Sequence, residues 1–241
     1  MESVNVAERT GSPTQLSIDL ASTPVRELNA LLHDPERLSG VGQVSVLNPE
    51  GAHNLAVGVD APLDIEIQGN AGYFIGGMNK QAHVTVHGNV GWSVAENIMS
   101  GMVRVKGIAS ECAGASGHGG LLVIEGDASS RCGISMKGCD IVVGGSVGHM
   151  SAFMAQAGHL VVCGDAGPGL GDSLYEAVIY VRGETHGLGA DAREEPMTEA
   201  DLTKLSELLD KAGFDHDPKS FRRVASARTL YHWNADSEQD Y

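Results

Sequence analysis

Aromatic residues are scarce: Phe, Trp and Tyr make up 5% of the 241 residues. A core of stacked rings is thereby excluded, and thin layers of small aliphatic side chains are expected instead. Basic residues are also few. Lys and Arg number 16 against 31 Asp and Glu, for a formal charge of −15. That balance argues against a nucleic-acid duplex or an anionic membrane surface as the main partner. The sequence contains no run of 18 apolar residues, so no transmembrane helix is expected. The opening MESVNVAERTGSPTQ lacks the basic, apolar, small-residue order of a signal peptide, and a cytoplasmic location is expected. The four cysteines (Cys112, Cys132, Cys139 and Cys163) include no C-x-x-C pair. They read as reduced, semi-apolar core residues rather than disulfide staples.

Glycine is what the chain has in excess. Its 32 glycines are roughly 13% of the chain against a usual ~7%, which calls for many tight turns. They are also periodic. The segments I-E-I-Q-G (65–69), V-T-V-H-G (84–88), V-R-V-K-G (103–107), L-V-I-E-G (122–126), I-V-V-G-G (141–145), L-V-V-C-G (160–164) and I-Y-V-R-G (179–183) share one pattern. They end at Gly69, Gly88, Gly107, Gly126, Gly145, Gly164 and Gly183, each 19 residues after the last. In every copy the first and third positions are Ile, Val or Leu, the alternation of a strand with one buried face.

Two further columns keep the period: Ala71, Val90, Ala109, Ala128, Val147, Ala166 and Thr185, and then Gly76, Ala95, Gly114, Gly133, Ala152 and Gly171. A repeat too short for a βαβ unit, with no helical pattern and recurring small residues, predicts a parallel β-helix. Seven coils at ~4.8 Å spacing would span about 30 Å. A left-handed hexapeptide helix does not fit, because 19 is not a multiple of six and no six-residue repeat is visible.

The expected division is an N-terminal flank (1–64), a repeat domain (65–183) and a C-terminal helical extension (184–241). In the first, P-V-R-E-L-N-A-L-L-H (24–33) predicts a short helix with Thr23 as N-cap and Pro24 in its first turn. V-S-V (44–46) is expected to form an irregular opening coil. In the last, T-E-A-D (198–201) resembles a capping box, Leu202, Leu205, Leu208, Leu209 and Ala212 form a helical stripe, and Gly213 is a stop. The stretch 221–234 is apolar enough that it is expected to dock on a surface rather than stay solvated.

Few residues point to chemistry. G-D-A-G-P-G-L-G (164–171), with Glu184 twenty residues after Gly164, imitates a dinucleotide fingerprint. No helix can open at its last glycine, however, and every part falls on the 19-residue register. No G-x-x-x-x-G-K-[ST] exists. His83 and His87 share the outer face of one strand about 13 Å apart, too far for one metal ion. His118, in S-G-H-G-G, reads as a solvated turn residue. Cys112, Cys132 and Cys139 lie in neighbouring loops but at different positions of the repeat, so they form no stacked column. Glu96 and Glu111 lie in adjacent loops without a defined separation. No catalytic, cofactor-binding or metal-binding residue is therefore expected in this chain.

One feature points outward. The strand position between the two inward residues is polar in the early coils (Glu66, Thr85, Arg104) and apolar in the later ones: Val123, Val142, Val161, Tyr180. Such a strip should be covered, either by helix 199–212 or by a partner subunit, and it is the candidate interface.

The segments S-S-R-C-G-I-S-M-K-G-C-D-I-V-V-G-G (129–145) and M-A-Q-A-G-H-L-V-V-C-G-D-A-G (154–167) resemble the G-x-G-x-G domain that closes the large subunit of glutamate synthase. The resemblance covers about residues 55–185 and implies a right-handed parallel β-helix. The stretches S-I-D-L…R-E-L-N-A-L-L (17–32), H-N-L-A-V-G (53–58) and G-G-M-N-K-Q-A-H-V-T-V-H-G-N-V-G-W-S-V-A-E-N-I-M-S-G (76–101) are similar to the small subunit of N-methylglutamate synthase and related three-part complexes. The resemblance implies a structural role and a hetero-oligomer. The chain would sit between a glutamine amidotransferase-type chain and an FMN-dependent synthase chain, and FMN, with iron–sulfur clusters as a further candidate, would belong to a partner. It transfers no catalytic residue. The flanks have no counterpart in the large glutamate synthase subunit. The C subunit of formylmethanofuran dehydrogenase shares the β-helix, so a scaffold in that kind of complex is a second expectation. A self-sufficient β-helix enzyme acting on carbohydrate is a third.

Overall fold

A computed structural model describes residues 14–227. Its framework is one 11-stranded sheet in the order β1-β2-β3-β4-β5-β6-β7-β8-β9-β11-β10. The strands are β1 (Thr14–Asp19), β2 (Val41–Leu47), β3 (Asp64–Gln68), β4 (His83–Val86), β5 (Met102–Val105), β6 (Leu121–Ile124), β7 (Lys137–Val143), β8 (Ala157–Val162), β9 (Val178–Val181), β10 (Ala192–Glu195) and β11 (Arg222–Ser226). Two α-helices, α1 (Val25–Leu32) and α2 (Glu199–Ala212), and a short 3-10 turn at Pro218–Ser220 are the helical elements among the described residues.

From β3 to β9 the strands pair in parallel. Ile65 meets Val84, Val84 meets Val103, and the pairing continues through Leu122, Ile141 and Leu160 to Ile179. This is the expected β-helix of about seven turns. Its inward residues are fully buried, with Ile124, Val143 and Val162 stacked in consecutive coils. The second column forms its own ladder of single parallel bridges, from Ala71–Val90 to Ala166–Thr185.

The third column is small for a reason that periodicity does not reveal. Gly76, Ala95, Gly114, Gly133, Ala152 and Gly171 have φ of +61°, +55°, +69°, +71°, +56° and +68°. Each coil turns through the left-handed region here, where glycine is favoured. Ala95 tolerates it because its N–H is held by the Ile75 carbonyl one coil below, at 2.8 Å. The flanking left-handed residues are held from above: Phe74 N–H donates to Trp92 O and Met78 N–H to Glu96 O, each at 2.8 Å. The irregular turns are thus stitched to both neighbours, and their backbone groups are satisfied without a regular strand.

The sheet continues past residues 65 and 183. The 44–46 segment is more regular than expected: it belongs to the seven-residue β2, and Val44 and Val46 face Ile65 and Ile67 in parallel. β1 adds a further parallel strand outside it. Between them α1 lies over the open end of the stack, with Leu28, Leu31 and Leu32 buried in the main core. Asn29 Nδ2 donates to Asn54 O at 2.7 Å, and His33 Nε2 donates to Gly58 O at 3.1 Å. Thr23 is not the N-cap: extended Pro24 occupies that position, and no side chain caps the helix. At the other end β11 pairs antiparallel with β9 and with β10. The chain thereby reverses and ends the parallel stack. The rest of the stretch expected to dock, 228–234, lies outside the described residues.

Candidate functional site

The expected strip lies under α2. Val123, Val142 and Val161 are fully buried and Tyr180 nearly so, in a second apolar cluster with Leu205, Leu208, Leu209, Ala212 and Phe221. The cover is the chain's own helix. As a solvent-facing interface the four residues are therefore corrected, because α2 already removes their side chains from water. The helix begins and ends as its sequence suggests. Thr198 Oγ1 accepts from Asp201 N–H at 3.2 Å and Asp201 Oδ2 accepts from Thr198 N–H at 2.9 Å, a reciprocal capping box, while left-handed Gly213 (φ +76°) ends it. Leu202 in the expected stripe is only half-buried. A helix of 14 residues is about 21 Å long, close to the ~19 Å of four strand spacings from β9 to β5.

Polar chemistry concentrates beneath this helix in three anchors. At its N-terminal end Tyr180 Oη donates to Asp201 Oδ1 at 2.8 Å, and Arg223 Nε donates to the same oxygen at 3.0 Å. Midway, Asp140 accepts from His159 Nδ1 at 2.7 Å and from Lys204 Nζ at 2.9 Å. At the C-terminal end Arg104 donates to the Ala212 carbonyl at 3.0 Å and to Glu125 at 3.0 Å. A cation at the last carbonyls complements the helix dipole. Gly144 belongs to the same contact: a Cβ there would meet the Glu125 carbonyl of the coil below at 2.4 Å and Phe214 Cζ at 2.8 Å, so the neighbouring backbone requires glycine and the ring following the helix packs against it.

The charges of these anchors are set by their neighbours. Burial pushes the Asp140 carboxyl upward, but the hydrogen bonds from His159 and Lys204 outweigh it and hold the group below its ordinary value. Asp201 follows the same pattern: burial is opposed by Thr198, Tyr180 and Arg223, and the net direction is down. Burial, followed by the Asp201 carboxylate, pushes the Tyr180 phenol well above its usual range. A phenol so placed holds its proton and serves as a donor, not a base.

The other candidates do not converge. Outward His83 lies 3.6 Å from Asp64, and His87 contacts Glu66. His118 is exposed. Cys132 and Cys139 are fully buried, and burial pushes each thiol up to about 12. Cys163 is pushed up to about 11, and Cys112 is also raised, chiefly by burial and then by Glu111. None is primed as a thiolate nucleophile. Among the described residues no group of three His, Cys, Asp or Glu is arranged to hold a metal ion. The 164–171 loop follows the repeat: Ala166 bridges Thr185, and Asp165 Oδ1 accepts from Glu184 N–H at 2.8 Å. No helix opens at Gly171. No described helix is long and apolar enough to cross a membrane.

Sequence reasoning missed the Asp140–His159–Lys204 anchor. The 19-residue spacing of Asp140 and His159 could have paired them; nothing in the sequence places Lys204 beside them. It also missed Tyr73 and Trp92, which occupy one position of consecutive coils and stay 44% and 63% exposed. Comparing equivalent positions across the repeat would have found them.

No protein-family model matches the chain, and no solved structure matches it. The chain is 56% identical over 225 residues to Protein GlxC of Rhizobium meliloti (strain 1021). That alignment covers 93% of this chain and 99% of the relative. The chain belongs to the family of Protein GlxC.

Proposed function

We propose that this protein is a structural subunit of a glutamate-synthase-like complex, holding an amidotransferase-type chain against an FMN-dependent synthase chain. The observation that carries this reading is the engagement of its polar groups. The half-buried and buried ionic groups under α2 fasten the helix to the β-helix, and the thiols of buried Cys132 and Cys139 and half-buried Cys112 are all raised. The repeat also keeps its 19-residue step through consecutive coils, with none of the long excursions that build a cleft on carbohydrate-active β-helices. The glutamate-synthase-like repeat segments at 129–145 and 154–167 supply the kind of complex. Flavin, and any iron–sulfur cluster, would then reside in a partner.

The reaction we assign to the complex is exchange of glutamate's amino group for methylamine, giving N-methylglutamate and ammonia. Co-expression of this chain with an amidotransferase-type and a flavin-binding synthase-type subunit tests the reading. A three-chain particle that forms N-methylglutamate, and loses that activity without this chain, is the expected result. A purified chain that carries stoichiometric flavin, or that turns over substrate alone, would overturn it. If a three-chain particle forms but acts on a formyl-carrying substrate instead, the scaffold role stands and the assigned reaction falls.

A further inference from the structure

We infer that the corner of the β-helix bearing Tyr73 and Trp92 is the surface on which one partner subunit docks, and that this partner offers an apolar pocket ringed by basic side chains. The inference rests on the scaffold reading above and names its contact surface.

In a stacked repeat, equivalent positions are built alike, so each coil is a control for the others. The position of Trp92 is filled in later coils by Glu111, Ser130, His149 and Pro168. The turn therefore makes no demand for an aromatic, and an indole left 63% exposed in a chain with two tryptophans answers to something outside the fold. Tyr73, one coil below and 44% exposed, is held flat by His53, whose ring stacks on it at 3.8 Å and whose Nδ1 accepts the Tyr73 N–H at 3.1 Å. A pre-ordered ring loses little conformational freedom on binding.

Ile108, in the next coil, breaks a working pattern. At its position Asn70, Asn89, Asp127, Ser146 and Asp165 each accept the N–H of the residue one coil up, at 2.7–3.0 Å. Ile108 has no acceptor to offer and stays 51% exposed. The coil gives up a stabilising bond for an apolar surface, which the fold does not explain.

The rim supplies the partner's charge. Glu111 stands directly above Trp92 in the repeat and is exposed, and Glu96 lies beside it, half-buried. Arg131, one coil above Cys112, shares that side with the two carboxylates, and Lys80 is engaged by Asp60 at 2.8 Å. Two carboxylates against one guanidinium leave the rim net acidic, in a chain of formal charge −15, and an aromatic centre with such a rim fits a basic-rimmed apolar pocket.

The test measures affinity between this chain and each of the two co-expressed subunits, the flavin-binding and the amidotransferase-type. Trp92→Ala should weaken binding to one of them by about tenfold or more, with an unchanged melting temperature. Glu111→Lys should weaken it and flatten its salt dependence. Tyr175→Ala, an exposed ring elsewhere on the molecule, should bind like wild type. Wild-type binding that is retained in full by Trp92→Ala and Glu111→Lys would overturn this inference and leave the scaffold reading standing. Self-association of the chain that Trp92→Ala abolishes would also overturn it, since the occupant would then be a second copy. A wild-type chain that binds neither subunit overturns both.

Discussion

The Tyr180 hydroxyl donates a 2.8 Å hydrogen bond to Asp201, so a side chain from the last parallel strand holds the residue that closes the α2 capping box. One carboxylate thereby joins the β-helix, the helix start and, through Arg223, the returning strand β11. Tyr180→Phe keeps the ring and removes the bond. Asp201 retains Thr198 and Arg223, so the expected loss is about 1.5 kcal/mol, the low end of the range for a hydrogen bond to a charged group. Asp201→Ala strands both the phenol and the guanidinium and should cost about 3 kcal/mol. Chemical denaturation read by circular dichroism checks the order. Equal losses would show that the phenol, not the capping box, carries the contact.

The depressed carboxyls make the anchors acid-sensitive. A group held below its unfolded value contributes stability above that value and loses it as pH falls through the folded one. Asp140 and Asp201 are both of this kind. Their contribution is full at neutral pH and declines below about pH 4, the ordinary Asp range. Melting curves of wild type and Asp140→Asn should therefore differ most at pH 7 and converge toward pH 2. A gap that is constant across that range would mean that Asp140 acts through packing alone.

How far the sequence could be read follows from where each contact comes from. Contacts that translate by 19 residues were legible, because the same residue class returns at each step: Val143 between Ile124 and Val162 is the plain case. The ends of α2 were legible from Thr198 and Gly213, which act on their own neighbours. Contacts that leave the repeat were not. Lys204 reaches Asp140 across 64 residues of chain, and only the docked helix brings them together. β1 pairs with β2 around an intervening helix, and β11 returns antiparallel to a parallel stack. Neither is marked by a local signal. The left-handed turns escaped notice for another reason: Ala95 and Ala152 are not residues that advertise a positive φ.

The inward register is open to direct challenge. Val143 is fully buried in the middle of the stack. Val143→Asp would place a carboxylate among Val and Ile side chains with no partner, a cost of several kcal/mol. The protein should be largely insoluble, or its melting temperature sharply lowered. Lys106, 42% exposed and 2.7 Å from Glu125, offers the contrast. Glu125 keeps Arg104 at 3.0 Å when Lys106 is truncated, so Lys106→Ala should change stability by less than about 0.5 kcal/mol. Comparable losses in the two variants would contradict the assigned faces.

The remaining expectation separates the helix from the framework beneath it. Leu205, Leu208 and Leu209 are at most 2% exposed and lie on Val123, Val142, Val161 and Tyr180. Leu205→Asp with Leu209→Asp puts two charges into that contact while leaving β11 and its pairing with β9 intact. The coils draw their main core from the opposite, inward side chains, so strand structure should survive. The freed strip, however, is a row of apolar side chains on adjacent strands. A surface of that kind seeks cover, and the double variant should bind a hydrophobic dye and sediment as concentration-dependent oligomers. Far-ultraviolet dichroism should report loss of helix with strand signal retained. If the strand signal collapses as well, α2 and the β-helix fold as one unit, and the helix is part of what makes the later coils stable. If the variant stays monomeric and binds no dye, another part of the chain covers the strip, and the burial of Val142 does not depend on α2.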